Sequence, residues 1–326
     1  MVFGLCNFSL NIIKNSKQPH LRYRVDGVVW LDLFSFLVIQ GILNNMNQKR
    51  IFVIKTNGKQ EEFDINKVAY SLKKVGATEE SIQSVVEHLQ DKIHDGMTTH
   101  DIYKHAFSLL HSREKAPALR YSLRRSIMDL GPSGFPFEKF LGEIFRRKGF
   151  SVMTDQVVKG RCVEHEVDVV AYNDEKLIMA EVKFHNELGV KSDLKVALYV
   201  KARMDDLKHS SFNYGGKDRK LDEGWLITNT KFSIPAIQYA ECEGLKMIGW
   251  NYPAGAGLES MIEKSDLHPV TVLTTLSQSH KKQLMDKGVV LCGHVRQDKS
   301  LLKPLGLNDS EIQSVVDETQ LLCPVE

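Results

Sequence analysis

The chain has 326 residues, 42% of them hydrophobic, which is enough for two or three ordinary domains with packed cores. Its net charge of +2 excludes nucleic-acid binding through overall charge, so such a partner would have to meet a local basic face. The five cysteines are scattered and form no CxxC pair, which argues against a disulfide framework or a cysteine zinc site. A reducing, cytoplasmic location is therefore expected.

The first 45 residues differ in character from the rest of the chain. Residues 28–43 are apolar but are interrupted by Asp32 and Gln40. The run is short for a membrane span and a central charge is costly, so we predict no membrane segment and keep an anchor as the alternative. Because Met46 precedes the first clear strand pattern, we expect it to be the natural start. Residues 1–45 would then be an over-extended reading frame, and a native peptide from them would contradict this.

Residues 46–131 predict a β-hairpin followed by four helices. Asn57-Gly58 is a hairpin turn signal, and apolar residues recur with helical spacing after it. Thr98 and Asp101 have the spacing of a helix-capping box. The predicted elements are a strand at 51–55, helices from 65, from 78 and from 98, and an Arg-rich helix at about 117–130.

Residues 132–252 predict alternating helices and strands after a "GPSG" linker. The strand–helix–strand order in the second half indicates a parallel strand pair. The predicted elements are a helix ending at Gly149, strands at 151–158, 166–171 and 177–184, a helix at 195–208, a loop at 213–220, a strand at 224–230, a helix at 233–244 and a strand at 245–250.

The stretch "DVVAYNDEKLIMAEVKF" places two acids on one face of a predicted hairpin. A symmetric turn between Asp174 and Glu175 pairs Asp168 with Glu181, and opposed residues lie on the same face. Like charges opposed in apolar surroundings are destabilising unless a cation lies between them. Mg²⁺ commonly uses one or two carboxylates, and Lys183 shares their face, so metal-assisted phosphodiester hydrolysis is predicted. A solvated ladder of surface charges is the alternative.

Residues of about 132–250 resemble the PD-(D/E)xK nuclease superfamily, specifically the Mrr-like restriction endonucleases and, more distantly, archaeal Holliday-junction resolvases. The resemblance lies in "FEKFLGEIFRRKGF", "EVDVVA", "AEVK" and "LITNTKFS". It implies an α/β/α sandwich with a mixed central sheet and Mg²⁺-dependent DNA cleavage. It also implies that Asp168 and Glu181 bind the metal and that Lys183 is catalytic.

These families often carry a further acid in the first helix of the domain. Glu138 has the best spacing to Gly149 for that role, and Glu143 is the fallback. Beside the motif, His165 could be read as a base, although a histidine at a strand start is more often structural. Glu166 is more often a flanking charge.

Residues of about 50–131 resemble the ATP-cone, the regulatory nucleotide-binding domain best known in ribonucleotide reductases and their repressor. The resemblance implies ATP or dATP as an effector that is bound without hydrolysis, and no GxxxxGK[ST] motif is present. Thr56 departs from the family, which usually has Arg there. A helical adaptor with surface lysines is the alternative. The matching residues are Lys55, Asn57, Gly58, Glu61, Phe63, Lys67 and Thr99.

Residues 253–326 predict a small helical tail, in which "LLKPLGLNDSEIQSVV" loosely resembles a helix-hairpin-helix DNA-binding unit. A packing or dimerisation role is equally open. The expected fold is thus multidomain α+β and α/β: an ATP-cone, a nuclease sandwich and helices. The expected function is an Mg²⁺-dependent DNA endonuclease regulated by ATP or dATP. The alternatives are a non-catalytic, nucleotide-sensing DNA-binding regulator and an RNA nuclease.

Overall fold

The computed structural model of the protein describes residues 22–25, 29–32 and 50–322. Most of the predicted over-extended reading frame, including most of the apolar run at 28–43, lies outside these residues. Within it, β1 (Arg22–Val25) and β2 (Val29–Asp32) pair antiparallel and belong to a compact unit separate from residues 52–326. In the part of the chain that is described, no helix combines the length and apolarity needed to cross a membrane.

The ATP-cone region begins with the predicted hairpin, whose turn is possible because Gly58 adopts a left-handed φ of 75°. Thr78 and Thr98 begin helices as predicted, each accepting a backbone N–H with its side chain. The apolar helix faces form one buried core around Leu72 and Leu89. The elements are β3 (Phe52–Ile54), β4 (Gln60–Glu62), α1 (Ile65–Lys74), α2 (Glu79–Lys92) and α3 (Thr99–Arg113).

The prediction of one continuous fourth helix is wrong. The structure has two short helices, α4 (Lys115–Tyr121) and α5 (Leu123–Met128), which meet at Ser122. The Ser122 hydroxyl donates to the Leu119 carbonyl, 2.8 Å away, and so competes with the backbone N–H that would continue the helix. Leu123 and Ile127 of α5 belong to the same buried core as the sheet of residues 151–248, and the Arg124 guanidinium lies 5.7 Å from the centre of the Trp250 ring.

The predicted mixed sheet is confirmed. It has five strands in the order β13-β11-β7-β6-β5. The strands β5, β6 and β7 run antiparallel, and β7, β11 and β13 run parallel, with helices packed on both faces. The elements are α6 (Phe135–Arg147), β5 (Ser151–Lys159), β6 (Glu164–Tyr172), β7 (Leu177–Lys183), β8 (Lys191–Ser192), α7 (Leu194–Lys208), β11 (Glu223–Thr228), β12 (Lys231–Phe232), α8 (Ile234–Glu243) and β13 (Lys246–Ile248).

The segment predicted as a loop at 213–220 is instead a hairpin, so this prediction is wrong. Strands β9 (Phe212–Tyr214) and β10 (Lys217–Arg219) pair antiparallel around Gly215 and Gly216. Both glycines have positive φ, at 63° and 72°, which is what a tight two-residue hairpin turn requires. The Gly-Gly pair was the signal for this hairpin.

The tail consists of short helices, as predicted, and its apolar core is continuous with one face of the sheet. Glu318 links the last helix of the tail to the loop at 274–275. Its carboxylate accepts the backbone N–H groups of Thr274 at 2.7 Å and Thr275 at 2.9 Å. The elements are α9 (Leu258–Ser265), a 3₁₀ turn (Val270–Val272), α10 (Gln278–Asp286), α11 (Cys292–Gln297), a second 3₁₀ segment (Lys299–Leu305) and α12 (Asp309–Gln320).

Candidate active site

The hairpin register predicted from the "NDEK" turn is the one that the structure has. Val169 pairs with Ala180, and the next step of the same register places Asp168 opposite Glu181. At that step a side-chain contact replaces the regular ladder, because the Val182 N–H donates to Oδ2 of Asp168 at 2.6 Å. This bond holds the Asp168 carboxylate against strand β7.

Two further carboxylates join this pair from neighbouring elements. Glu138 projects from the first turn of α6 and is 9% exposed. Asp155, in the middle of β5, is the position opposite Asp168 in the β5–β6 register and has a left-handed φ of 54°. Glu138 lies within hydrogen-bond reach of Asp155 and within electrostatic range of Asp168 and Glu181. Sequence reasoning missed Asp155, because it lies between Thr154 and Gln156 in a strand of mixed polarity and nothing local distinguishes it from a surface charge.

The crowding of these acids changes their proton affinities. Burial, followed by the charges of Asp168 and Asp155, raises the pKa of Glu138 to about 8. Burial, followed by the Asp168 charge, raises the pKa of Glu181 to about 7, against the opposing effects of Arg203 and Lys183. Burial also raises the pKa of Asp168, although the Val182 N–H opposes this. Strongly perturbed acids in one cluster are typical of functional sites.

Arg203 of α7 is the cation nearest to this cluster, and sequence reasoning missed it. Its guanidinium forms an ion pair with Glu181 and donates to the Glu166 carbonyl at 2.7 Å. It also bonds the Tyr199 hydroxyl and lies 4.8 Å from the centre of that ring. The four-residue spacing of Tyr199 and Arg203 puts both on one helix face, but nothing in the sequence relates that face to Glu181.

Of the other predicted residues, Lys183 lies on the face of the acid cluster, whereas His165 and Glu143 form contacts outside it. Lys183 is exposed at the end of β7, two residues beyond Glu181 and therefore on the same face. His165 instead pairs with Asp206 at 2.8 Å, and Asp206 also accepts the Cys162 N–H at 2.9 Å, so this group closes a turn. The fallback acid Glu143 forms an ion pair with Arg146 at 2.8 Å.

The donor chemistry of the cluster fits a hard divalent cation. Asp168 and Glu181 each have one oxygen engaged, by Val182 and by Arg203, and the other oxygens receive no hydrogen bond from described residues. Mg²⁺ commonly binds through one or two carboxylates and retains water molecules. In the described ranges, however, no group of three acids, histidines or cysteines has a geometry that could hold a metal ion by itself. Asp168 and Glu181 would hold such an ion through two carboxylates.

Among the predicted nucleotide-binding residues, two lysines contact the same acid, Glu61. Glu61 forms ion pairs with Lys55 and with Lys67, the latter at 2.7 Å, and these lysines hold the pKa of Glu61 well below its usual range. Asn57 accepts the Lys59 N–H at 3.2 Å and so stabilises the turn that contains Gly58. An anionic ligand here would share the two lysines with Glu61.

Thr99, the remaining predicted residue, begins α3 and lines a cavity of about 1300 Å³. The cavity has walls from the ATP-cone region, from the loop after β7 and from the linker after β13. Its polar and aromatic lining includes Thr56, Tyr70, Lys74, His100, Tyr103, Arg120, Tyr121, Arg124, Arg125, Glu187 and Trp250. Asp129, Glu259 and Glu263 also line the cavity, and Lys74 pairs with Glu259. The arginines and aromatic rings suit an anionic ligand with a ring system.

Comparison with family models gives three matches along the chain. Residues 51–129 match the ATP cone domain, residues 132–251 match a restriction endonuclease family (Mrr), and residues 268–323 match the AF1548-like C-terminal domain. The likeness to the ATP-cone and to Mrr-type nucleases is thereby confirmed, and it coincides with the two regions described above.

Individual proteins are also similar to parts of the chain. The chain is 35% identical over 181 residues to an uncharacterized protein of Archaeoglobus fulgidus, covering 55% of this chain and 98% of that protein. Among solved structures, the AF1548 protein of unknown function is 34% identical, with 58% of this chain and 97% of that chain covered and a TM-score of 0.48. The MspJI restriction endonuclease in complex with a 27-mer oligonucleotide is 13% identical over 44% of this chain and 31% of its own, with a TM-score of 0.29.

Proposed function

Because this chain belongs to the family of the uncharacterized Archaeoglobus fulgidus protein and carries a restriction endonuclease domain after an ATP cone, we propose that it is an Mg²⁺-dependent DNA endonuclease regulated by ATP or dATP. In this proposal residues 46–131 bind nucleotide and residues 132–252 cleave DNA, while the described part of the helical segment 253–326 packs against residues 132–252. The observation that carries the proposal is the clustering of Glu138, Asp168 and Glu181 with Lys183 at one end of a nuclease-type sheet.

The reaction is hydrolysis of a phosphodiester, in which water attacks phosphorus and one ester oxygen leaves with a proton. Asp168 and Glu181 would hold the Mg²⁺, which would supply positive charge against the phosphate and lower the pKa of water. Lys183 presents its ammonium group on the same face as Glu181 and stabilises the charge that develops on the phosphate oxygens. Glu138, with a pKa of about 8, is suited to exchange a proton with water near neutral pH.

A second candidate function has a specific observation in its favour. Arg203 occupies one side of Glu181 and would have to yield, or share that carboxylate, when a metal binds. A chain in which this ion pair persists would bind DNA and nucleotide without cleaving, as a regulator. A buried Arg–carboxylate pair has a small net stability, so it can either open to admit a metal or persist and exclude it.

Cleavage of supercoiled plasmid by the full chain in Mg²⁺, with and without ATP or dATP, tests the proposal. We expect nicked or linear DNA, in an amount that changes with nucleotide and disappears with EDTA. A parallel incubation with single-stranded RNA separates DNA cleavage from an RNA nuclease. DNA binding without cleavage under every nucleotide condition would support the regulator instead.

Replacing Arg203 with Met should move the pH dependence of cleavage upward. Arg203 lowers the pKa of Glu181, so its removal should raise that pKa above its value of about 7. Because cleavage needs ionised Glu181, the cleavage rate should reach half its maximum at a higher pH in the variant. The control is Arg113→Met, at an exposed arginine that pairs with Glu80 in the ATP-cone region. Equal midpoints in the Arg203→Met variant and the unaltered chain would contradict this role.

A further inference from the structure

Two lysines of the nuclease domain face each other at the edge of the ATP-cone region. Lys191 in β8 and Lys231 in β12 are direct partners in a short parallel pair. Like charges opposed in this way are destabilising unless an anion lies between them. Both lysines are exposed, and neither has an ion pair among the described residues.

The ATP-cone region adds two cations to this pair. Burial lowers the pKa of Lys231, and the positive charges of Arg124, Lys191 and Lys55 lower it further. The Arg124 guanidinium lies 5.7 Å from the centre of the Trp250 ring. Its Nε is buried without a hydrogen-bond partner, which is costly for a charged group. Four cations thus gather here; Glu61 pairs with Lys55 and the charge of Glu259 acts on Arg124, whereas Lys191 and Lys231 have no acidic partner among the described residues.

This cluster borders the large cavity between the two domains. Arg124 and Trp250 line the cavity, and the Trp250 N–H donates to the carbonyl of Thr230, the neighbour of Lys231, at 2.7 Å. The β3–β4 hairpin lies close to Lys191. A β-carbon built on Gly189, two residues before Lys191, would lie 3.8 Å from Nδ2 of Asn57 in that hairpin. The cavity and the cations therefore form one continuous site.

We propose that Lys191 and Lys231 of the nuclease domain, together with Arg124 and Lys55, bind the phosphates of a nucleoside triphosphate whose nucleoside lies in the cavity. The inference rests on the proposed nucleotide regulation and adds that the nuclease domain itself completes the effector site. A triphosphate carries enough negative charge to neutralise the opposed lysines and offers acceptors to the unpartnered Nε of Arg124.

The site also has a direct connection to the candidate catalytic strand. Lys191 follows Lys183 after seven intervening residues, and the Thr228 hydroxyl, three residues before Lys231, donates to the Lys183 carbonyl at 2.7 Å. Asn229 holds the same segment, since it bonds both the N–H and the carbonyl of His185 at 2.8 Å. Phosphates bound by the two lysines would thus fix the end of β7, and by linkage a ligand at the cleavage site would alter nucleotide affinity equally.

The test is equilibrium titration calorimetry of the full chain with ATP, dATP, AMP and tripolyphosphate. The double variant Lys191→Ala/Lys231→Ala should bind ATP about tenfold to a hundredfold more weakly. It should lose most of the preference for ATP over AMP and bind tripolyphosphate poorly. The matched control is Lys282→Ala/Lys299→Ala, which removes two exposed lysines of the tail and should leave every affinity unchanged.

The other outcomes overturn the inference in distinguishable ways. If the double variant binds ATP as the unaltered chain does, the two lysines are not part of the site, while nucleotide binding itself stands. If duplex DNA affinity falls in the double variant and nucleotide affinity does not, the lysines contact DNA phosphates instead. If the unaltered chain binds no nucleotide at millimolar concentration, the proposed regulation fails together with this inference. Restored affinity in Lys191→Arg/Lys231→Arg distinguishes lost charge from lost folding.

Discussion

Cleavage of plasmid DNA should fall by at least about a thousandfold in each of the variants Glu181→Gln and Lys183→Ala. Glu181→Gln keeps the shape of the side chain but removes the negative charge that a divalent cation needs. Lys183→Ala removes the positive charge available to the phosphate on the same strand face. Because neither change alters the apolar core of β7, both proteins should fold and bind duplex DNA as the unaltered chain does. Agarose-gel cleavage rates and DNA-binding anisotropy measure the two properties separately.

The control for this pair is Glu175→Gln, in the exposed turn of the same hairpin. It removes a charge of the same kind from a position outside the cluster and should leave cleavage unchanged. Near-normal cleavage in Glu181→Gln would contradict the two-carboxylate metal site. Near-normal cleavage in Lys183→Ala alone would contradict the catalytic role of that lysine.

The second large effect concerns stability in the absence of metal. The pKa values of Glu138 and Glu181, about 8 and about 7, are raised from 4.5, so both acids hold protons more tightly in the folded chain than in the unfolded chain. Their stabilising contribution is full below about pH 4.5 and is lost as pH rises through about 7 and 8. Glu138 is largely buried, and we expect the loss from it to be on the order of a few kcal/mol.

Urea unfolding at pH 5.5, 7 and 8.5 in EDTA, with Glu138→Gln compared with the unaltered chain, measures this loss. The variant should lose less free energy of unfolding between pH 5.5 and 8.5, because a neutral amide replaces the acid. Glu143→Gln, on the same helix but paired with Arg146, serves as the control and should follow the unaltered chain. Parallel pH profiles for Glu138→Gln and the unaltered chain would contradict the proximity of Glu138 to the other acids.

The pairing of the hairpin that carries the candidate site could be predicted from local sequence. Side chains alternate along a strand, and the "NDEK" turn has one symmetric pairing, so the opposition of Asp168 and Glu181 could be counted from the turn. The break at Ser122 and the hairpin around Gly215 were missed although their signals were also local. A hydroxyl that competes with helix bonds and a Gly-Gly turn are both residue-level effects.

Sequence alone therefore determined the opposed acids and the parallel strand pair, which follow from turn chemistry and element order, while the resemblance to known families indicated the domain types and the mixed sheet. Only the tertiary structure placed Arg203 against Glu181, Asp155 beside Glu138, and Arg124 over Trp250. The physical reason is that these contacts join elements that are distant along the chain. Their geometry depends on how helices pack on a twisted sheet, which no local pattern of residues encodes.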